Sequence, residues 1–199
     1  MCMAFSIPRT AITAALLGVA ACAVGAQDRN QLPITVEARS TDFDYRNSVL
    51  RFDEVTIVQG RIRITAERAQ ASGLDFQDSR WEFGGTVRIT LPDGSLASDT
   101  ARVRFANGEI ASATVTGAPA TFEQHRESEL ARGRAKRIDY DLGRGTVELA
   151  GEAWLTDGRN EITGAMLVYS TESQRVISRE QVTITINPRE PPAAPKGPE

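Results

Sequence analysis

Apolar and polar positions alternate along most of the chain, and the rule is plainest over residues 137–169, RIDYDLGRGTVELAGEAWLTDGRNEITGAMLVY. Ile138, Tyr140 and Leu142 alternate with Asp139 and Asp141, and after Gly143-Arg144-Gly145 the residues Val147 and Leu149 alternate with Thr146 and Glu148. A period of two on both sides of a glycine-rich turn predicts a β-hairpin. A second turn at Asp157-Gly158 leads to Ile162, Gly164, Met166 and Val168 on one parity, with Glu161, Thr163 and Ala165 on the other. The two parities become the two faces of an antiparallel meander, one apolar and one polar.

The unit recurs. Residues 40–71 place Phe43-Asp44-Tyr45 over Ile138-Asp139-Tyr140, Leu50 over Val147, Ile57-Val58 over Trp154-Leu155, and Ile64-Thr65 over Ile162-Thr163, with only turn insertions expected to break the register. A looser copy runs from Trp81 to Phe105 through the turn Pro92-Asp93-Gly94. Hairpins repeated in this way need their neighbours to bury their apolar faces.

Further strands are expected at Ile34 and Val36, opened by Pro33, and across the Asn107-Gly108 turn, whose residue pair is a strong two-residue hairpin signal. Residues 124–132 form a polar insert, expected as a surface loop or a single helical turn. Val182, Ile184 and Ile186 make the last strand.

Composition narrows the class. At 199 residues the chain suits one domain with appendages, and a net charge of −3 with 6% aromatics excludes a basic nucleic-acid surface. Residues 1–26 read as a signal peptide: Arg9 precedes an apolar run from Ala11 to Ala21, short of the about 20 residues that span a bilayer. Two processing sites are legible. Val24-Gly25-Ala26 would release a soluble chain from Gln27, whereas Val19-Ala20-Ala21-Cys22 resembles a lipobox and would anchor an acylated Cys22. Cys2 and Cys22 both fall in this segment, so the body, residues 27–187, is expected to contain no thiol or disulfide chemistry. Five of the nine prolines fall from Pro188 onward, and residues 188–199 read as a disordered proline-rich tail.

Candidate chemistry is sparse. His125, the single histidine, lies among Glu123, Glu127 and Glu129 without a second nitrogen or sulfur ligand, so no metal site is expected. The pairs Asp42/Asp44 and Asp139/Asp141 each share a strand face, but the face opposite the apolar residues, Phe43/Tyr45 and Ile138/Tyr140. Solvent-facing carboxylates before turns explain them. No glycine-rich phosphate loop opens a helix. Neither catalysis nor a cofactor is expected.

The apolar lining remains: Ile34, Val36, Ile62, Ile64, Val87, Ile89, Leu91, Val103, Phe122, Tyr140, Leu142, Val147, Leu149, Ile162, Met166 and Val168. With no amphipathic helix to cover it, only another layer of the same meander can, giving a sandwich, roll or barrel. A dry sandwich would bind nothing; layers standing apart would leave a groove for acyl chains. A membrane barrel would need aromatic girdles. A sugar-binding module would want exposed aromatics, and Trp154 is expected in the core.

Three segments in order, LPITVE at 32–37, GAPATFEQ at 117–124, and AKRIDYDL at 135–142 followed by LAGEA at 149–153, resemble the LptA/OstA-like family of periplasmic lipopolysaccharide transport proteins. The resemblance implies an all-β fold, a twisted antiparallel β-jelly roll open at both ends. It implies a periplasmic protein that holds the acyl chains of lipid A inside, joins copies of itself end to end by strand pairing, and meets LptC-like inner-membrane and LptD-like outer-membrane partners. The matched positions make Ile34, Val36, Phe122, Tyr140 and Leu142 the expected lipid contacts. The competing expectation is an LptC-like or other periplasmic β-sandwich without a bridging role, the LptC-like form needing a retained N-terminal span.

Overall fold

A computed structural model of the chain describes residues 32–72, 76, 78–126 and 129–187. The signal-peptide and tail readings fall outside them. Twelve strands form among the described residues: β1 (Ile34–Glu37), β2 (Ser40–Asp44), β3 (Val49–Gln59), β4 (Ile62–Ser72), β5 (Asp78–Leu91), β6 (Gly94–Ala106), β7 (Glu109–Arg126), β8 (Glu129–Asp141), β9 (Thr146–Thr156), β10 (Glu161–Ser170), β11 (Arg175–Ile177) and β12 (Val182–Thr185). They make one antiparallel sheet in the order β1-β3-β4-β5-β6-β7-β8-β9-β10-β11, with β2 beside β1 on β3 and β12 beside β11 on β10.

Consecutive hairpins follow from the alternation and the turns. Asn107 and Gly108 both take positive φ, 53° and 73°, the geometry their residue types favour in a tight hairpin. The expected loop or helical turn at residues 124–132 is instead β-structure: Gln124 pairs with Ala131, and His125 with Leu130. The alternation of Ala120, Phe122 and Gln124 simply runs on, and charged residues at a hairpin end need no separate element.

Each pairing from β4–β5 to β9–β10 carries a register shift, between Thr65 and Arg68, Gly84 and Val87, Ala97 and Thr100, Thr116 and Ala120, Arg134 and Arg137, and Gly164 and Met166. In β3 the matching irregularity is Glu54, at φ 50°. A seam of bulges therefore crosses the sheet, and such bulges bend strands and add twist. Side-chain parity changes at the seam on β3, β4, β6, β7, β8 and β10: Leu50 and Phe52 point inward before Glu54, Val55 and Ile57 after it.

The seam overturns three expectations, and the edge position of β2 a fourth. On β10 the residues beyond the bulge change sides, so Met166 is 39% exposed and Val168 faces outward, while Leu167, at 0%, and Tyr169 enter the core. On β9 the bulge contains both Gly151 and Glu152 at positive φ, one residue more than β3 inserts, so Ile57 corresponds to Leu155 and not to Trp154. Trp154 accordingly lies on the outer face, half-buried, with the Arg134 guanidinium 4.6 Å from its ring centroid. Phe43 and Tyr45 are exposed and stack edge to face on each other, because β2 is an edge strand that contacts only β3 among the described residues.

One apolar cluster fills the inner face. Trp81 sits in its N-terminal half with Phe52, Phe76, Phe83 and Phe105 around it at centroid distances of 5.3–6.3 Å. Since no helix covers that face among the described residues, the sheet rolls onto itself. Hydrogen bonds between elements that are not neighbours in the sheet close it: Gln59 Nε2 on β3 donates to the Gly108 carbonyl in the β6–β7 turn at 2.6 Å, and Tyr169 on β10 to Gln124 on β7 at 3.0 Å. The outer strands β1/β2 and β11/β12 do not pair with each other, so the roll stays open at both edges.

Candidate functional site

The inner face is the site the fold offers. Its middle is close-packed, with Val115, Ala120, Ile138, Val147 and Leu149 at 0% exposure. Toward the two edges the inward residues become half-buried. At the N-terminal edge Ile34 and Val36 pair with Gln59 and Ile57 and lie against the core. At the C-terminal edge Ile162 pairs with Ile184, which is 57% exposed. Large aliphatic side chains on a core-facing parity yet open to solvent mark where an apolar ligand could meet the protein.

The five expected lipid contacts divide between these places. Phe122 and Tyr140 are buried together, ring centroids 6.1 Å apart, and Tyr169 joins them 6.0 Å from Phe122. Leu142 is partly buried at the core margin, its N–H donating to the Ala111 carbonyl. Ile34 and Val36 lie on β1, at the other end of the strand order. Asp139 and Asp141 point the other way. Asp139 accepts from Thr114 Oγ1 at 2.6 Å and pairs with Arg137 at 2.8 Å, while Asp141 accepts the Arg144 N–H.

Two residues went unseen in the sequence. Gln124 is buried, with both ends of its amide used: Oε1 accepts from Tyr169 Oη, and Nε2 donates to Asp93 Oδ2 at 3.3 Å. A signal for Gln124 existed in the unbroken parity from Ala120; for Tyr169 the bulge hid it. Burial pushes the Tyr140 phenol above its ordinary value, and the charge of Asp93 and neighbouring Tyr169 add to this, while a Thr171 hydrogen bond opposes it.

Beside this cluster a cavity of 560 Å³ opens at the C-terminal edge. Its lining combines Leu130, Ala131, Leu155, Ile162 and Val176 with Gln124, Tyr169 and, from the β9–β10 turn, Asp157, Arg159 and Asn160. Asp157 organises that turn. Burial raises its pKa, but the amides of Asn160 and Arg159 and the Asn160 side chain outweigh this and hold the carboxyl below its ordinary value. Asn160 Oδ1 is buried without a hydrogen-bond partner. On the outer face, Arg134, Lys136, Glu152 and Trp154 line a shallow cleft along the seam. Among the described residues no group of three His, Cys, Asp or Glu is placed to hold a metal ion.

Residues 68–175 match the model of the LptA/(LptD N-terminal domain) LPS transport protein family. The chain belongs to this family. It is similar to the lipopolysaccharide export system protein LptA of Haemophilus influenzae, 26% identical over 151 residues, covering 75% of this chain and 70% of that protein. To the LptA of Escherichia coli K12 it is 28% identical over 106 residues, 52% of this chain and 57% of that protein. Among solved structures the chain is similar to LptH, the LptA-homologous periplasmic component of the lipopolysaccharide transport device of Pseudomonas aeruginosa. That likeness has 19% identity and a TM-score of 0.42, covering 79% of this chain and 96% of that one. The matched segment runs from the middle of β4 to the start of β11 and so contains the seam from β5 onward, the Phe122 cluster and the cavity wall up to Tyr169.

Proposed function

We propose that the protein is a periplasmic, non-catalytic lipopolysaccharide-binding transport protein that holds lipid A acyl chains against its inner face. The observation that carries this is the inner face itself: one continuous apolar lining, sealed in the middle and half-open at both edges, in a member of this family. Each methylene moved from water onto such a face contributes about 0.8 kcal/mol, so a few acyl chains supply ample affinity. The interior contacts are Ile34, Val36, Phe122, Tyr140 and Leu142. The Phe122 cluster is tightly packed, so it meets lipid only when the roll loosens.

Bridging belongs to the same proposal. At each end of the sheet a short strand presents a free edge, β1 at one side and β12 at the other, and a free edge accepts another strand. Copies of the chain joined end to end, with LptC-like and LptD-like partners at the termini, would then extend the inner face between membranes. Residues 1–26 supply the export signal, with release at Gln27 and, as the alternative, acylation at Cys22. Mass spectrometry of the mature N-terminus separates these.

A photo-crosslinker tests the functional reading. Placed at Leu142 or Phe122 it captures lipopolysaccharide, whereas at Asp139 or Asp141, on the opposite face of the same strand, it does not. Equal labelling of both faces, or of neither, returns the protein to a β-sandwich with a dry core.

A further inference from the structure

We propose that the cleft on the outer face, where the bulges of β7, β8 and β9 meet, is a binding site for an acidic saccharide. The Arg134 guanidinium takes the ligand's carboxylate or phosphate group, and Trp154 supplies the surface for a sugar ring. The site lies on the opposite face of the sheet from the apolar lining, so the inference is independent of the lipid-carrying reading.

Bulges shape the cleft. Residues 117–119 of β7 fall out of register with β8, and β8 slips against β9 between Arg134 and Arg137, where Gly151 and Glu152 take positive φ. Such irregularities re-aim side chains, and here they turn outward the tryptophan that plain alternation places in the core. Ala118 and Pro119 form one wall, Lys136 and Glu152 cross the middle, and Trp154 and Thr163 stand on the far side. The volume between them is 620 Å³, within the roughly 300–1,000 Å³ of small-ligand pockets.

The side chains are posed for a charged, hydroxylated ligand. Arg134, Trp154 and Thr163 form one row across β8, β9 and β10. The Arg134 guanidinium carbon lies 4.6 Å from the indole centroid, and Trp154 Nε1 donates to Glu161 Oε2 at 3.2 Å, which holds the ring by its edge. Trp154 is half-buried, so part of the indole stays open to the cleft. Lys136 is paired with Glu152, whereas Arg134 has no ion-pair partner among the described residues. A guanidinium braced on a ring keeps its N–H fork for a carboxylate or phosphate, whose geometry it matches bidentately. Glu152, Lys136 and Thr163 then offer acceptors and donors to sugar hydroxyls.

Other occupants fit less well. An acyl chain needs a continuous apolar wall, and in the described lining Ala135 and Ala153 are buried, which leaves only Ala118, Pro119 and the indole as apolar surface. An extended peptide needs a free strand edge, but β8, β9 and the first half of β10 are paired on both sides. A ligand held by side chains alone, through one anionic group and several hydroxyls, uses what the cleft presents.

The chain has two tryptophans, so two indole N–H resonances report on the cleft and the core separately. Digalacturonic acid titrated into the full chain should move the Trp154 resonance and leave that of Trp81, which is buried in the core. Maltose, a neutral disaccharide of similar size, and benzoate, a ring with a carboxylate but no hydroxyls, should each bind at least about tenfold more weakly, the size of one charge-assisted hydrogen bond. Arg134→Gln, at an exposed position, should weaken digalacturonate by about the same factor, and Trp154→Leu, followed by calorimetry, should abolish its binding. An unmoved Trp154 resonance, or an unchanged affinity in Arg134→Gln, overturns the site. Equal binding of maltose overturns the role of charge, and equal binding of benzoate overturns the saccharide. Lipopolysaccharide captured at Leu142 with the Trp154 resonance unmoved by digalacturonate leaves the transport reading standing without this site; the reverse result keeps the site and removes the transport reading.

Discussion

Tyr169 Oη donates to Gln124 Oε1 at 3.0 Å across the interior of the roll, joining β10 to β7 although two strands separate them in the sheet. Both side chains are buried, so removing the Tyr169 hydroxyl takes this donor from the Gln124 carbonyl oxygen. Tyr169→Phe should therefore cost about 1–3 kcal/mol, the penalty of an unsatisfied buried acceptor. Gln124→Leu combined with Tyr169→Phe should cost less than the sum of the single changes, because the orphaned groups vanish together. Urea unfolding of the two single variants and the double variant measures the coupling.

The bulge on β10 makes a sharp stability forecast for adjacent residues. Leu167 is fully buried opposite Leu149, so Leu167→Ala should lose about 2–5 kcal/mol. Met166→Ala, on the outer face, should stay within about 0.5 kcal/mol. Plain alternation through Ile162 and Gly164 expects the reverse order, and chemical denaturation of the two variants decides between them.

Acid should loosen the β9–β10 turn. The folded chain holds the Asp157 carboxyl below its ordinary value, so the unfolded chain binds the proton first as pH falls. Its contribution is thus complete above the ordinary aspartate range of about 3.9 and is lost as pH drops through the folded value. Asp157→Asn should flatten the loss of stability between about pH 5 and pH 2, leaving the part contributed by other carboxylates such as Asp44. Thermal melts across that range provide the comparison.

Removing the C-terminal edge should separate assembly from folding. β12 pairs only with the first half of β10, through Glu161–Gly164, and its own side chains are mostly exposed. Truncation before Val182 should leave the β circular dichroism signal in place while weakening self-association in sedimentation. Retained self-association would locate the contact elsewhere.

The sequence by itself determined the class of structure and most of its local detail. Period-two alternation specifies strands, and Asn107-Gly108, Asp93-Gly94 and Asp157-Gly158 specify where they reverse, because both signals are carried by residues adjacent in the chain. The inward set Ile64, Val87, Ile89, Val103, Phe122, Tyr140, Val147 and Leu149 was legible for the same reason. Only the tertiary structure decided where the bulges fall, since a bulge is a mismatch between two strands and is invisible within either. That choice sent Met166 outward and Leu167 and Tyr169 inward, and put Trp154 on the surface. It also built the candidate site. Tyr169 meets Gln124 because the sheet rolls until β10 faces β7, a contact fixed by accumulated twist and burial across strands that no local pattern encodes.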